Sequence, residues 1–403
     1  MKTHNIYYYI DKDPTKTIFL NGFKDEISST VFFDLHDDHH HYYDIDLIKH
    51  VYTEINTIPD DPLDKFYFPV PFVRSNMKDL VEDHFTIPDD ILACIRSGQC
   101  KILVQSVQEG WTYGVFIDVF IDNIIKKYNL KDMNFVLLTG NNFKHKRFIA
   151  HYHSVWEIGM PYHWSDKTPE TLDKIRPYKY ICLNRRPEIH RLAITTMLTT
   201  SSEPGILTLA ETGGYGDDQW ARIDKDFYNR FPDYKSHHIN NVKPKIPFVY
   251  DDGINPEITN PNWDPQVEKF HNSYLHIVTE TNSGNEQLFF SEKAFKPIVH
   301  WQPFVILGNP GSIALLNEWG YNTFDGYIDQ SYDKEQNTEI RVRKIHRAVS
   351  EFINKPAEEL TKLMQEMRPQ FEHNMINLRN RSEHVKFNNT RANLLRALHA
   401  TSK

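Results

Sequence analysis

Residues 273–324 read SYLHIVTETNSGNEQLFFSEKAFKPIVHWQPFVILGNPGSIALLNEWGYNTF. A largely apolar run (273–280) leads into a polar loop that contains Glu280, Asn282 and Glu286. A helix is expected to open near Ser291 or Glu292. A second apolar run, PFVILG (303–308), and a GNPG turn (308–311) follow. Short apolar runs alternating with helices predict a parallel sheet covered on both faces. The glycines of the turn allow the backbone to bend between strand and helix.

The same alternation extends outward in both directions. TIFL (17–20), STVFFDL (29–35), KILVQSV (101–107) and NFVLLTG (134–140) read as strands in the first part. PDDILACIRSG, bounded by proline and glycine, and GVFIDVFIDNIIKKYN, apolar at helical spacing, read as the helices between them. YKYICLN (178–184) and GILTLAE (205–211) continue the pattern in the second part. Residues 156–180 are rich in Pro, Trp and Tyr without a clear period, which places a domain junction near 165–175. From about 340 the pattern is helical to the end. The expected fold class is α/β, with domains at 1–168 and 169–345 and a helical tail at 346–403. Ligands of such folds bind facing the carboxyl ends of the strands.

A chain of 403 residues suits two cores better than one. Hydrophobic residues make up 40% and aromatic residues 13%, enough to bury substantial cores. The net charge of −8 argues against a protein held to nucleic acid by bulk charge, though not against a local basic patch. Cys94, Cys100 and Cys182 have no metal-binding spacing and point to a reducing compartment without disulfides. The first residues, MKTHNIYYYIDKDPTK, do not resemble a signal peptide, and no run reaches the ~20 apolar residues that cross a bilayer. A soluble, cytoplasmic protein is expected.

Glu292, Lys293 and Lys296 crowd the front of the helix. Backbone N–H groups at a helix start favour anions, and a lysine there adds a compact charge for phosphate. A neighbouring carboxylate suits ribose hydroxyls. The same residues also fit a solvated helix start with an acid in its first turn.

SEKAFKPIVHWQPFVILGNPGSIALLNEWGYNTF (291–324) resembles the C-terminal motif of the α1,3-fucosyltransferase family and of related glycosyltransferases of bacteria and phages. The Glu-Lys pair opening a helix, the PFVxxGxPGS strand and turn, and LxxxGYxTF carry the likeness, which spans about 50 residues from Tyr274 to Phe324. The resemblance implies two Rossmann-like domains in the GT-B architecture, with the sugar nucleotide in the C-terminal domain and the acceptor in the N-terminal one. It also implies that Glu292 binds the donor ribose and Lys293 the diphosphate, with Asn282 and Glu286 in a loop facing the donor. It implies no metal or other cofactor, since basic residues and helix dipoles take the ion's place. The two phenylalanines of NSGNEQLFFSEK depart from the more polar fucosyltransferase loop, so fucose is not carried over.

CLNRRPEIHR places Arg185 and Arg186 at a strand end and His190 and Arg191 in the next helix. An arginine there can grip a diphosphate bidentately as it leaves. Arg186 and Arg191 are both candidates. In TGGYG (212–216) the glycines are out of register for a dinucleotide fingerprint, but Tyr215 can stack on a base. Glu109, at the end of an N-terminal-domain strand beside Trp111, is the candidate general base, with Glu157 and Asp166 as alternatives. DLHDDHHHYYDID (34–46) reads as a polar, pH-sensitive loop in preference to a metal site, because consecutive residues rarely converge on one ion.

The last stretch, 371–403, carries six Lys or Arg against two Glu, a net +4. It fits a closing amphipathic helix, or a segment that lies along phosphates. Together with the resemblance, these features predict a glycosyltransferase, which the resemblance implies is inverting and metal-independent. Its acceptor hydroxyl would belong to a glycan or to a hydroxymethylated base in phage DNA. The alternative is a sugar-nucleotide or glycan binding module without turnover.

Overall fold

The computed structural model describes residues 6–9, 52–55, 57–71, 85–106, 114–142, 144–163, 169, 172–184, 187–209, 217–246, 267–284, 287–383 and 390–400. The strands expected at 17–20 and 29–35 and the histidine run at 34–46 lie outside them. The chain divides into two compact units. Met1–Tyr162 and Asn380–Lys403 form the first, and His163–Arg379 the second.

In the first unit the strands are β1 (Ile6–Tyr9), β2 (Tyr52–Ile55), β3 (Phe66–Pro71), β4 (Cys100–Ser106), β5 (Phe135–Thr139) and β6 (Ile149–Tyr152). They form one sheet in the order β2-β1-β3-β4-β5-β6, and every pairing is parallel. Three helices follow strands: α1 (Asp89–Ser97), α2 (Gly114–Tyr128) and α3 (Val155–His163). Every residue of β4 and β5 is buried, as expected of interior parallel strands with both faces covered.

One face packs Phe66, Phe68, Ile102, Val104, Phe135 and Leu137 against Ile91 and Ile95 of α1 and Ile117, Phe120 and Ile124 of α2. Helix α1 ends at Gly98, whose φ of 81° lets its N–H reach back to the Cys94 and Ile95 carbonyls. Tyr67 and Lys101 are partners in register on β3 and β4 and share the opposite face. The chain's last helix, α12 (Thr390–His399), docks through them. Tyr67 Oη donates to the Leu394 carbonyl at 2.7 Å, and Lys101 Nζ donates to the Ala397 and Ala400 carbonyls at 2.6 and 3.0 Å. A buried cation thus satisfies carbonyls that the end of α12 leaves open.

The second unit holds β7 (Tyr178–Asn184), β8 (Gly205–Leu209), β9 (Ser273–Thr279) and β10 (Phe304–Leu307). Their order is β10-β9-β7-β8, again all parallel. Its helices include α4 (Ile189–Leu198), α5 (Asp217–Arg230), α6 (Val267–His271), α7 (Glu292–Val299) and α8 (Ser312–Glu318). Helices α9 (Thr338–Ile353), α10 (Ala357–Glu366) and α11 (Arg368–Glu383) complete the run, and the unit boundary after Arg379 falls inside α11. Gly205 lies under the ring of its register partner Tyr180, where a Cβ would overlap the ring. Two parallel sheets with helices, closing in a helical C-terminus, make the chain an α/β protein of two units. No helix among the described residues is long and apolar enough to cross a membrane.

Four strands, β1, β2, β3 and β6, were not expected from the sequence. In β3, FYFPVP, two prolines break the strand signal. They are tolerated because the described pairing of β3 with β1 covers only Phe66 and Tyr67, so the missing N–H groups of Pro69 and Pro71 face no ladder there.

Candidate functional site

The carboxyl ends of β7, β9 and β10 gather most of the polar residues singled out in the second unit. Helix α7 begins at Glu292, with Ser291 as its N-cap accepting from the Lys293 N–H. Helix α4 begins two residues after Pro187. Both helices direct the positive ends of their dipoles toward this edge of the sheet.

Glu280 follows β9 directly, its N–H bonded to the Leu307 carbonyl at 3.0 Å. Only 1% of it is exposed. Its Oε2 accepts from Ser291 Oγ at 2.7 Å and its Oε1 from the Ser291 N–H at 3.1 Å, which ties the end of the strand to the start of α7. The close approach of the next strand needs a glycine: a Cβ on Gly308 would sit 3.3 Å from Glu280 Cβ, Ile306 Cγ2 and Ser312 Oγ. The Glu280 carbonyl accepts from His190 Nε2 at 2.9 Å and Arg191 Nη2 at 3.3 Å, so α4 is fixed to the same point. Because a carbonyl only accepts, His190 carries its proton on Nε2. Burial and the adjacent Arg191 charge push His190 down to about 3.

Lys293 reaches back over the N-cap. Its Nζ lies 2.5 Å from Glu292 Oε1 and 3.3 Å from Ser291 Oγ. The lysine side chain is 28% exposed and that of Glu292 only 5%. Burial alone would raise the Glu292 carboxyl, but Lys293 and Lys296 outweigh it and hold it below its ordinary value. Burial raises Glu280 above its own ordinary value despite the opposing Lys293 charge and Ser291. Lys296 is buried one turn further along α7. The site therefore offers one partly exposed cation above two buried carboxylates.

Arg191, Glu292, Lys293 and Lys296 thus share one sheet edge, while Asn282 lies half-buried in the loop after β9. Glu109, Asp166, Arg186, Tyr215 and Glu286 lie outside the described residues. Glu157, on α3 of the first unit, is fully buried. Its carboxylate accepts from Arg381 Nε at 2.5 Å and from Tyr152 Oη at 2.9 Å. A carboxylate committed to those donors is a structural anchor and a poor general base. Arg381, one of the six cations of the 371–403 stretch, is the other half of that anchor.

Three features of the site had no sequence signal. Arg341, 1% exposed in α9, donates to the Glu335 carbonyl at 2.6 Å and to the Ser283 carbonyl, and so pins the loop after β9. The Asp333 carboxylate accepts from the N–H groups of Ile313 and Ala314 at 2.9 and 3.0 Å. The start of α8, behind the GNPG turn, is therefore filled by the protein's own anion. Thr279 Oγ1 donates to Asn184 Oδ1 at 2.5 Å and locks the ends of β7 and β9 together. Such pairings join residues distant in sequence, which local patterns do not reveal.

No protein-family model matches the chain, and no curated protein shows a significant sequence match.

Proposed function

We propose that the protein is a glycosyltransferase that moves a sugar from a nucleotide-diphosphate donor to an acceptor hydroxyl, with inversion and without a metal ion. The observation that carries this reading is Lys293, a partly exposed cation in the first turn of α7 beside buried Glu292 at the carboxyl end of parallel strand β9. A diphosphate meeting Lys293 gains a point charge together with the N–H groups of a helix start. Arg191, already oriented by the Glu280 carbonyl, and Arg186 supply the planar donors that stabilise charge on the departing diphosphate. Glu292 serves the ribose, and Asn282 and Glu286 approach the donor from the loop. The likeness of residues 291–324 to the α1,3-fucosyltransferase motif supports the same assignment and the GT-B architecture. An acid, Glu109 in this reading, deprotonates the acceptor.

The acceptor is proposed to be a glycan or a hydroxymethylated base in duplex DNA. Release of nucleoside diphosphate from a panel of nucleotide-diphosphate sugars tests the reading, with chelator present and with glycans or hydroxymethylated DNA as acceptors. Acceptor-dependent release from at least one donor is expected. Tight donor binding with no release under any acceptor would favour a binding module without turnover.

A further inference from the structure

We infer that Glu280 is a positioning residue that takes up a proton when Lys293 engages the phosphates of a nucleoside diphosphate, an inference that rests on the donor site proposed above. In the free protein one hydroxyl links the two groups. Ser291 Oγ donates to Glu280 Oε2 at 2.7 Å and accepts from Lys293 Nζ at 3.3 Å. The same Nζ holds Glu292 Oε1 at 2.5 Å. Lys293 therefore offsets two carboxylates that solvent does not reach, and it is the only one of the three groups with substantial exposure.

A phosphate approaching from solvent meets Lys293 first. Once the ammonium is shared with phosphate oxygens, the carboxylates lose part of their compensation and gain an anionic neighbour. In a buried setting that change is weakly screened. The two carboxylates respond differently. Glu292 keeps a second cation, Lys296, near it on α7. Glu280 is already raised by burial, and Lys293 is the cation that opposes the rise. From α4, His190 stays neutral, and both it and Arg191 donate to the Glu280 backbone carbonyl. From α9, Arg341 is committed to the Ser283, Glu335 and Gln336 carbonyls. After β10, Gly308 packs against Glu280 Cβ. Arg185, Arg186 and Glu286 lie outside the described residues.

A proton arriving from solvent thus settles on one of the two Glu280 oxygens. One Glu280 oxygen still accepts from Ser291, so the start of α7 stays anchored while its charge changes. The proton keeps the donor site from accumulating uncompensated negative charge as it fills.

Titration calorimetry of GDP, UDP, ADP, CDP and dTDP on the full chain tests this near pH 6, in two buffers of unlike ionisation enthalpy, with wild type and Glu280→Gln compared. Glutamine keeps an oxygen for Ser291 but cannot take the proton, and the titration of the ligand's own phosphates cancels in the comparison. Wild type should take up more protons per bound ligand than the variant, by up to about one. Equal proton counts overturn the inference and leave the donor site standing. No binding of any of the five nucleotides overturns both. An infrared difference spectrum of wild type alone gives a second reading, independent of how the variant folds: the C=O stretch of a neutral carboxyl should appear on nucleotide binding. Its absence overturns the inference.

Discussion

Arg381 Nε sits 2.5 Å from Oε1 of Glu157, a residue 224 positions earlier that is completely buried. Tyr152 Oη also donates to the carboxylate at 2.9 Å, and the neighbouring Ser382 Oγ donates to the Ile158 carbonyl at 2.8 Å. The end of α11 is therefore fastened to α3 within the first unit by a desolvated ion pair and a hydroxyl.

Arg381→Ala should destabilise the first unit strongly. Removing one partner of a buried pair leaves an uncompensated charge and typically costs about 3–5 kcal/mol. Denaturant unfolding of Arg381→Ala and of the double variant Glu157→Gln, Arg381→Ala measures it, and the double variant should recover part of the loss. A silent Arg381→Ala would show that the pair does not hold in solution. Any loss of DNA retention in Arg381 variants should track this instability.

Lys293→Ala should weaken nucleoside diphosphate binding by roughly tenfold to a hundredfold, the worth of a charge-assisted contact of about 1.5–3 kcal/mol. Its melting temperature should fall less than its affinity, because Lys293 is partly exposed and Lys296 still offsets Glu292. A collapsed melting temperature with unchanged affinity would make Lys293 a structural residue.

Acid should destabilise the second unit through its buried histidines. His190 and His276 are both held down to about 3 by burial, with Arg191 and Lys296 respectively adding to the effect. Their unfolded pKa is about 6.5, so below that the unfolded chain binds protons that the native one excludes. Stability is present above about pH 6.5 and is lost as pH falls toward 3, by up to about 1.4 kcal/mol per pH unit for each histidine. Glu292, held below its ordinary value, loses stability in the same direction at lower pH. Glu280 works oppositely, its contribution being fullest in acid and lost as pH rises through its raised value. His190→Gln should flatten the acid limb of a stability-versus-pH curve. An unchanged limb would show that His190 is not buried neutral.

Gly308→Ala should cost about 1–3 kcal/mol, because the new methyl group meets Glu280, Ile306 and Ser312 together at 3.3 Å. The clash displaces Glu280, so nucleotide affinity should fall as well. Chemical denaturation and calorimetry on one preparation separate the two effects. Wild-type values for both would mean that the ends of β9 and β10 lie further apart.

The sequence showed the parts of this architecture that depend on local pattern. Apolar runs marked β4, β5, β7, β8, β9 and β10 to within a few residues, since strands of a parallel sheet covered by helices read as near-continuous apolar stretches. Ser291 and Glu292 marked the start of α7, because capping chemistry is written in adjacent residues. Prolines hid β3. The site's supports were hidden for another reason: Arg341 with Ser283, Asp333 with Ile313, and Thr279 with Asn184 join residues that no local period connects. Glu280 read as one acid among several in a loop, and only the register of β9 against β10 brings it beside Gly308.

Thermal shift of wild type and Lys293→Ala across GDP, UDP, ADP, CDP and dTDP, with chelator present, tests the donor site most directly. A ligand at a hundred times its Kd stabilises the native state by about 2.7 kcal/mol, enough to read as a clear rise in melting temperature. At least one nucleotide should raise the wild-type melting temperature without metal, and the Lys293→Ala variant should lose most of that rise. A wild-type protein that melts cooperatively at one temperature, whichever nucleoside diphosphate is added, would contradict the assignment of a nucleotide-sugar site to the carboxyl edge of the second sheet.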